Sequence, residues 1–262
     1  MIKKTYLSSK TPSNINLVLI PGGPGLSSLT LRSFDILSKK YNLIYIDFPG
    51  TNGNPYQGKK THKELMTLLG ESLDNITGDV YTIGHSYGGM YASDLFRYIE
   101  LKGVICLGTP MSKRTLENAT SNYLKCVNDA LIEAESRWEN EPNNSNFSNW
   151  LSKYNSLYFS ENVLEIGRKL IRDDTVSAEF FLDNRRDISD QEVFEQISRW
   201  EGKKLLIGGE RDGLISSSFL REDAALFNYD FFLIPYANHF LMLDDLSMLV
   251  KSIDNFITKE FR

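Results

Sequence analysis

Four short stretches in the first 108 residues are apolar at every position except Thr82: Leu17–Ile20, Leu43–Ile46, Val80–Ile83 and Val104–Leu107. Each stops at a turn-forming group, respectively Pro21–Gly25, Asp47–Gly50, Gly84–Gly89 and Gly108. Uninterrupted apolar runs of this length predict strands buried on both faces, because a half-exposed strand would alternate. Between them, Leu26–Lys40, Lys63–Ile76 and Met90–Tyr98 place apolar residues at helical spacing; Leu65, Leu68, Leu69, Leu73 and Ile76 share one side of the second. Residues 50–60, rich in Gly, Asn, Gln and Lys, read as surface loop. Strand and helix in turn, at short intervals, predict a parallel sheet covered on both faces.

The rhythm stops at residue 111. Up to residue 200 no comparable strand run occurs. Leu116–Trp138, Val163–Ile171 and Gln191–Trp200 have helical spacing, Glu141–Asn149 is an Asn- and Ser-rich break, and Leu182–Ser189 is charged and turn-like. A block of about 90 residues is too long for a loop and large enough for a small helical lobe. Alternation then resumes with a strand at Lys204–Gly209, a helix at Ser217–Phe227, a strand at Tyr229–Ile234 and an amphipathic helix at Leu243–Thr258. The expected architecture is α/β: a mostly parallel sheet of about six to eight strands, helices on both faces, and an inserted helical cap. The core would span 1–110 and 201–262, the cap 111–200. Edge strands before Leu17 are not assigned, because residues 1–12 are mostly polar. A ligand cleft belongs at the strand C-termini, under the cap.

Composition narrows the chemistry. The 262 residues are 41% hydrophobic and 24% charged, so the chain is globular and needs no disulfide or metal staple. Two cysteines, Cys106 and Cys126, cannot build a zinc cluster or a secreted disulfide framework. Three histidines are too few for a histidine-rich metal centre, so no metal site is expected. A net charge of −5 disfavours a general nucleic-acid partner. The first residues lack the apolar core of a signal peptide. No run approaches the roughly 18–20 apolar residues of a membrane span. A soluble cytoplasmic protein is expected, with no indication of its oligomeric state.

The strongest local signal is Gly84-His85-Ser86-Tyr87-Gly88, a G-x-S-x-G turn between an apolar strand and a helix. Small residues let the chain reverse sharply and leave the Ser86 hydroxyl exposed above the sheet. A nucleophilic serine needs donors for the oxyanion that forms on its substrate. The glycine loop Pro21–Gly25 follows the first apolar strand, and the backbone N–H groups of Gly23 and Tyr87 are the expected pair. Ser86 also needs a base. His239 lies a few residues after the Tyr229–Ile234 strand, where a loop could return over the site. His62 is expected to cap a helix or face solvent, and His85 to pack or hydrogen bond near the site. The acid that orients the base is read as Asp212, just after the Lys204–Gly209 strand, with Glu210 the alternative. The chain order Ser86, Asp212, His239 is that of α/β-hydrolases. Neither a dinucleotide-binding glycine pattern, a phosphate loop nor a His-Glu-x-x-His motif is present.

Together these residues resemble the α/β-hydrolase superfamily along essentially the whole chain. The Gly22–Gly25 loop, Asp47–Gly50 and the Gly84–Gly89 elbow are most similar to the proline iminopeptidase group of capped serine hydrolases. That resemblance implies a cap that shapes the substrate pocket, and no cofactor. Two departures stand out: Pro21 where that group usually has His, and Phe48-Pro49 in place of a pairing that includes Arg. Substrate choice then rests with the cap. Glu133, Glu135, Glu139 and Glu141 could hold a peptide ammonium or be solvated surface, Glu133 sharing helical spacing with Arg137. Trp138, Trp150, Tyr154, Tyr158 and Phe159 could line an acyl pocket or pack the lobe. The favoured expectation is hydrolysis of a small carboxylic ester through an acyl-enzyme. The alternatives are an aminopeptidase acting on short peptides, and a non-enzymatic binding or scaffold protein on the same fold.

Overall fold

The computed structural model describes residues 1–172, 175–185 and 192–258. One sheet contains β1 (Lys3–Leu7), β2 (Ile15–Ile20), β3 (Asn42–Asp47), β4 (Asp79–His85), β5 (Gly103–Leu107), β6 (Lys203–Gly209) and β7 (Asp230–Ile234). The α-helices in chain order are α1 (His62–Leu73), α2 (Gly88–Asp94), α3 (Lys113–Lys125), α4 (Asp129–Asn140), α5 (Asn144–Lys153) and α6 (Leu164–Leu170). They continue with α7 (Ala178–Asn184), α8 (Glu192–Ser198), α9 (Ser217–Leu226), α10 (Leu241–Asp244) and α11 (Leu246–Thr258). The strand order is β1-β3-β2-β4-β5-β6-β7. All neighbours are parallel except the β1/β3 edge pair.

Side-chain alternation explains why the central parts of the inner strands are almost wholly apolar. Leu17 and Leu19 enter one buried cluster with Leu43, Tyr45, Ile105 and Leu107. Val18 and Ile20 enter the other with Ile44, Ile46, Val104 and Cys106. α1, α2 and α9 cover the second cluster, while α11 and a 3₁₀ helix at Ser28–Lys39 cover the first. β1 is the strand that periodicity left unassigned. It is a half-exposed edge strand, where polar residues and lysines are tolerated because one side faces water.

The helical insertion lies between β5 and β6, and its elements differ in detail from the spacing-based expectation. The Leu116–Trp138 stretch is two helices, because the Asn128 side chain accepts the Leu131 N–H at 3.0 Å and starts α4 afresh. The Asn-rich segment 141–149 is not simply a break: Asn143 accepts the Asn146 N–H at 2.9 Å and opens α5. Of the turn-like stretch 182–189, Leu182–Asn184 closes α7 and residues 186–189 lie outside the described residues. The C-terminal amphipathic segment is also split, with Asp245 accepting the Met248 N–H at 2.8 Å near the start of α11. The 26–40 segment is 3₁₀ rather than α-helical. No helix among the described residues is long and apolar enough to cross a membrane.

Candidate active site

The strand order decides which loops meet. β4 sits between β2 and β5, so the loops that follow these two strands flank the turn after β4. Ser86 occupies that turn with φ +51°, a left-handed conformation uncommon for a non-glycine residue. Its N–H donates to the Leu107 carbonyl at 2.7 Å. The flanking glycines are required by close backbone approach. A Cβ on Gly84 would lie 2.3 Å from the Gly88 carbonyl oxygen, and one on Gly88 would lie 2.4 Å from that of Pro21. From the β2 side comes Gly23, at φ +114°. Tyr87 stands at the N-terminus of α2, its hydroxyl donating to the Asn184 carbonyl at 3.2 Å.

His239 Nδ1 lies 2.8 Å from Asp212 Oδ2, and both side chains are sealed from solvent. The second Asp212 oxygen accepts the Leu214 and Ile215 N–H groups at 2.9 and 2.8 Å. Three hydrogen bonds therefore hold this carboxylate in place. Pairing with a carboxylate places the proton of His239 on Nδ1 and leaves Nε2 as a lone pair. That Nε2 is buried and has no hydrogen-bond partner in the structure. Glu210 is directed elsewhere: its carboxylate accepts the exposed Tyr236 N–H at 2.9 Å.

One residue of this assembly escaped the sequence reading. The Asn238 side-chain oxygen accepts from Gly213 at 2.9 Å and from the His239 N–H at 2.7 Å. Its amide donates to the Ser156 carbonyl at 3.3 Å. Asn238 thus joins the Asp212 turn, the His239 loop and the helical insertion. An Asn directly before His239, in a loop, was the available signal, since Asn bonds readily to nearby backbone.

The other histidines take distinct places. His85 behaves as expected, packed against His239 and Phe240 with Nε2 3.0 Å from the His239 carbonyl oxygen. Burial and the neighbouring imidazole hold its pKa down to about 3. His62 does not cap the helix and is only partly exposed. Thr61 caps α1, and His62 Nε2 meets the buried Asp94 carboxylate at 2.9 Å while its ring stacks on Tyr91. Cys106 is buried in β5 and Cys126 ends α3; both are free thiols.

Ser86, His239, His85 and Gly23 line a common cavity of about 50 Å³. Its remaining walls are Pro24, Leu26, Leu214 and Phe240, with Phe147, Leu151, Tyr158, Ile171 and Phe181 contributed by the insertion. No carboxylate, lysine or arginine lines it among the described residues. Of the aromatics singled out in the cap, Trp138, Trp150, Tyr154 and Phe159 are buried packing, and Tyr158 reaches the cavity. Burial pushes the Tyr158 hydroxyl up to about 12, so it stays neutral. Glu133, Glu139 and Glu141 are exposed, and Glu133 pairs with Arg137 on the surface at 2.9 Å. A larger depression of about 400 Å³ lies among Lys4, Asn16, Asn42 and Ser72, and none of the sequence-predicted site residues lines it.

With this geometry in place, the comparisons with known proteins agree on the class. The chain belongs to the alpha/beta hydrolase family, whose profile matches residues 17–248. No curated protein sequence matches it. Among solved structures, the fold is similar to MenH from S. aureus, at 17% identity and TM-score 0.74 over 97% of both chains. It is equally similar to a thermophilic esterase from Thermogutta terrifontis, at 15% identity and TM-score 0.75 over 98% of this chain and 92% of that one. A proline iminopeptidase from Mycobacterium smegmatis matches at 13% identity and TM-score 0.67, over 98% and 94%. Identities this low establish a shared fold and leave the reaction to be argued from the site.

Proposed function

We propose that this protein is a serine hydrolase that cleaves small carboxylic esters through an acyl-enzyme. Ser86 attacks the acyl carbon, and His239 Nε2 removes its proton and later returns one to the leaving alcohol. Asp212 holds the imidazole and supports the imidazolium. The Gly23 and Tyr87 amides stabilise the oxyanion, and water then releases the acid. Residues 111–200 act as the cap over a core formed by 1–110 and 201–262. The observation that carries this reading is the shared cavity, in which an unpartnered, buried His239 Nε2 and Ser86 face a mostly apolar lining without carboxylate, lysine or arginine among the described residues.

The apolar lining also favours an ester over a peptide with a free amino terminus. A buried ammonium without a counter-charge is expensive to desolvate, and the cap glutamates singled out for that task do not line the cavity. The resemblance of the elbow and glycine loop to proline iminopeptidases supports the catalytic framework, not the ammonium site. Kinetics on short-chain aryl esters and on aminoacyl anilides, the prolyl compound included, test the choice. Ester turnover should exceed anilide turnover in kcat/KM, and Ser86→Ala should lose both turnover and fluorophosphonate labelling. Anilide turnover above ester turnover would replace this reading with the aminopeptidase one. A folded wild type that reacts with no acyl substrate or probe would favour a binding protein.

A further inference from the structure

Within that reading, His85 does more than fill space beside the nucleophile. Its Nε2 faces a carbonyl oxygen, which can only accept, so Nε2 carries the ring proton. Nδ1 is then a bare lone pair, and it is buried with no hydrogen-bond partner in the structure. The ring is 1% exposed, and its centroid is 5.1 Å from that of His239 and 4.5 Å from that of Phe240. On its other side is the glycine loop, where a Cβ on Gly22 would come within 3.2 Å of Nδ1. A phenylalanine would pack as well and leave no buried lone pair unsatisfied. Imidazole differs from it here in one productive way, the bond to the His239 backbone.

That bond acts on an atom of the base that its other restraints do not hold. The His239 N–H is held by Asn238 and its ring by Asp212, leaving the carbonyl as the remaining backbone handle. His85 closes it, and does so from the residue next to Ser86 in the chain. We propose that His85 is a positioning residue: it ties the backbone of the base to the nucleophile turn, fixing the separation of His239 Nε2 and Ser86. Displacements near 1 Å between reacting groups can lower rates about 100-fold, so a short tether from elbow to base has catalytic value. A ring whose basicity is held down by burial suits the task, because it takes up neither the Ser86 proton nor a charge that would repel the imidazolium on His239.

Two substitutions separate tethering from packing. His85→Gln keeps an N–H near the Nε2 position, while His85→Phe keeps an aromatic ring and removes the donor. The expected result is a fall in kcat of about 10- to 100-fold for His85→Phe, with KM within about twofold, and restoration of most of kcat by His85→Gln. Imidazole nitrogen NMR of the wild type, which has three histidines to assign, should show His85 as the non-titrating Nε2–H tautomer from pH 5 to 8. A folded His85→Phe protein with wild-type kcat would overturn the proposal, as would an Nδ1–H or titrating His85. Ser86→Ala distinguishes the two failures. If it retains turnover, the serine-hydrolase reading falls; if it is inactive while His85→Phe is not, only the positioning role falls.

Discussion

Gly108 lies directly over the hydrogen bond between His239 and Asp212. A Cβ at this position would stand 3.2 Å from His239 Nδ1 and 3.5 Å from Asp212 Oδ2. The residue ends the apolar run of β5 with φ +55°, and its N–H donates to the Ile207 carbonyl at 2.8 Å. The turn that terminates the strand therefore also sets the space in which His239 sits. Neither requirement alone would make glycine necessary; left-handed backbone and imidazole proximity together do.

Gly108→Ala tests that coincidence. The left-handed backbone should cost about 1–2 kcal/mol, lowering Tm by a few degrees in a chain of this length. The methyl should also displace the imidazole by a few tenths of an ångström and reduce kcat at least severalfold. Thermal melts and steady-state kinetics on one preparation check both. A variant with lowered Tm and unchanged kcat would mean that the pair adapts freely.

Leu151→Ala enlarges the cavity from the cap side. Leu151 is 5% exposed, lines the space in front of Ser86 and packs among Phe147 and Trp150. Large-to-small changes at such positions cost about 2–5 kcal/mol. If the apolar wall receives the acyl chain, the preferred length in a p-nitrophenyl ester series should increase by about two carbons. An unchanged length profile in the folded variant would place the acyl group elsewhere.

Acid should destabilise the protein through His85. Its folded pKa is lowered to about 3 by burial, then by the nearby His239, against about 6.5 in the unfolded chain. Between these values the unfolded state binds the extra proton, so stability rises with pH. The contribution is complete above about pH 6.5 and is lost progressively as pH falls toward 3. Urea unfolding from pH 7 to 4 should show a slope approaching 1.4 kcal/mol per unit from this residue. His85→Gln should flatten that slope, and an identical slope in the variant would assign the acid sensitivity to other groups.

Much of the architecture was legible because it rests on local constraints. Strands buried on both faces are apolar at nearly every position, so Leu17–Ile20, Val80–Ile83 and Val104–Leu107 announced themselves, Thr82 being tolerated because its hydroxyl donates to the Ala92 carbonyl. The Gly84–Gly89 turn was equally plain as a pattern, glycines around a serine between an apolar strand and a helix, although the carbonyl that crowds Gly88 belongs to Pro21. Ser86, Asp212 and His239 could be nominated because each follows an apolar run, near the end of a strand where an open α/β sheet gathers its loops. β1 was not legible, because an edge strand half in water carries no apolar run. Helix breaks at Asn128 and Asp245 were hidden because apolar spacing continues across a cap that a single side chain creates, while the start of α5 after Asn143 was hidden in a polar stretch that reads as a break. The 2.8 Å pairing of His239 with Asp212, the Asn238 bridge and the cover provided by Gly108 needed the tertiary structure. So did the character of the cavity. Its walls combine Leu26 and Phe240 with Phe147, Leu151 and Phe181 of the insertion, residues brought together only when the cap closes on the sheet edge. Periodicity says which residues are buried; only the packing of separate elements decides which of them face Ser86.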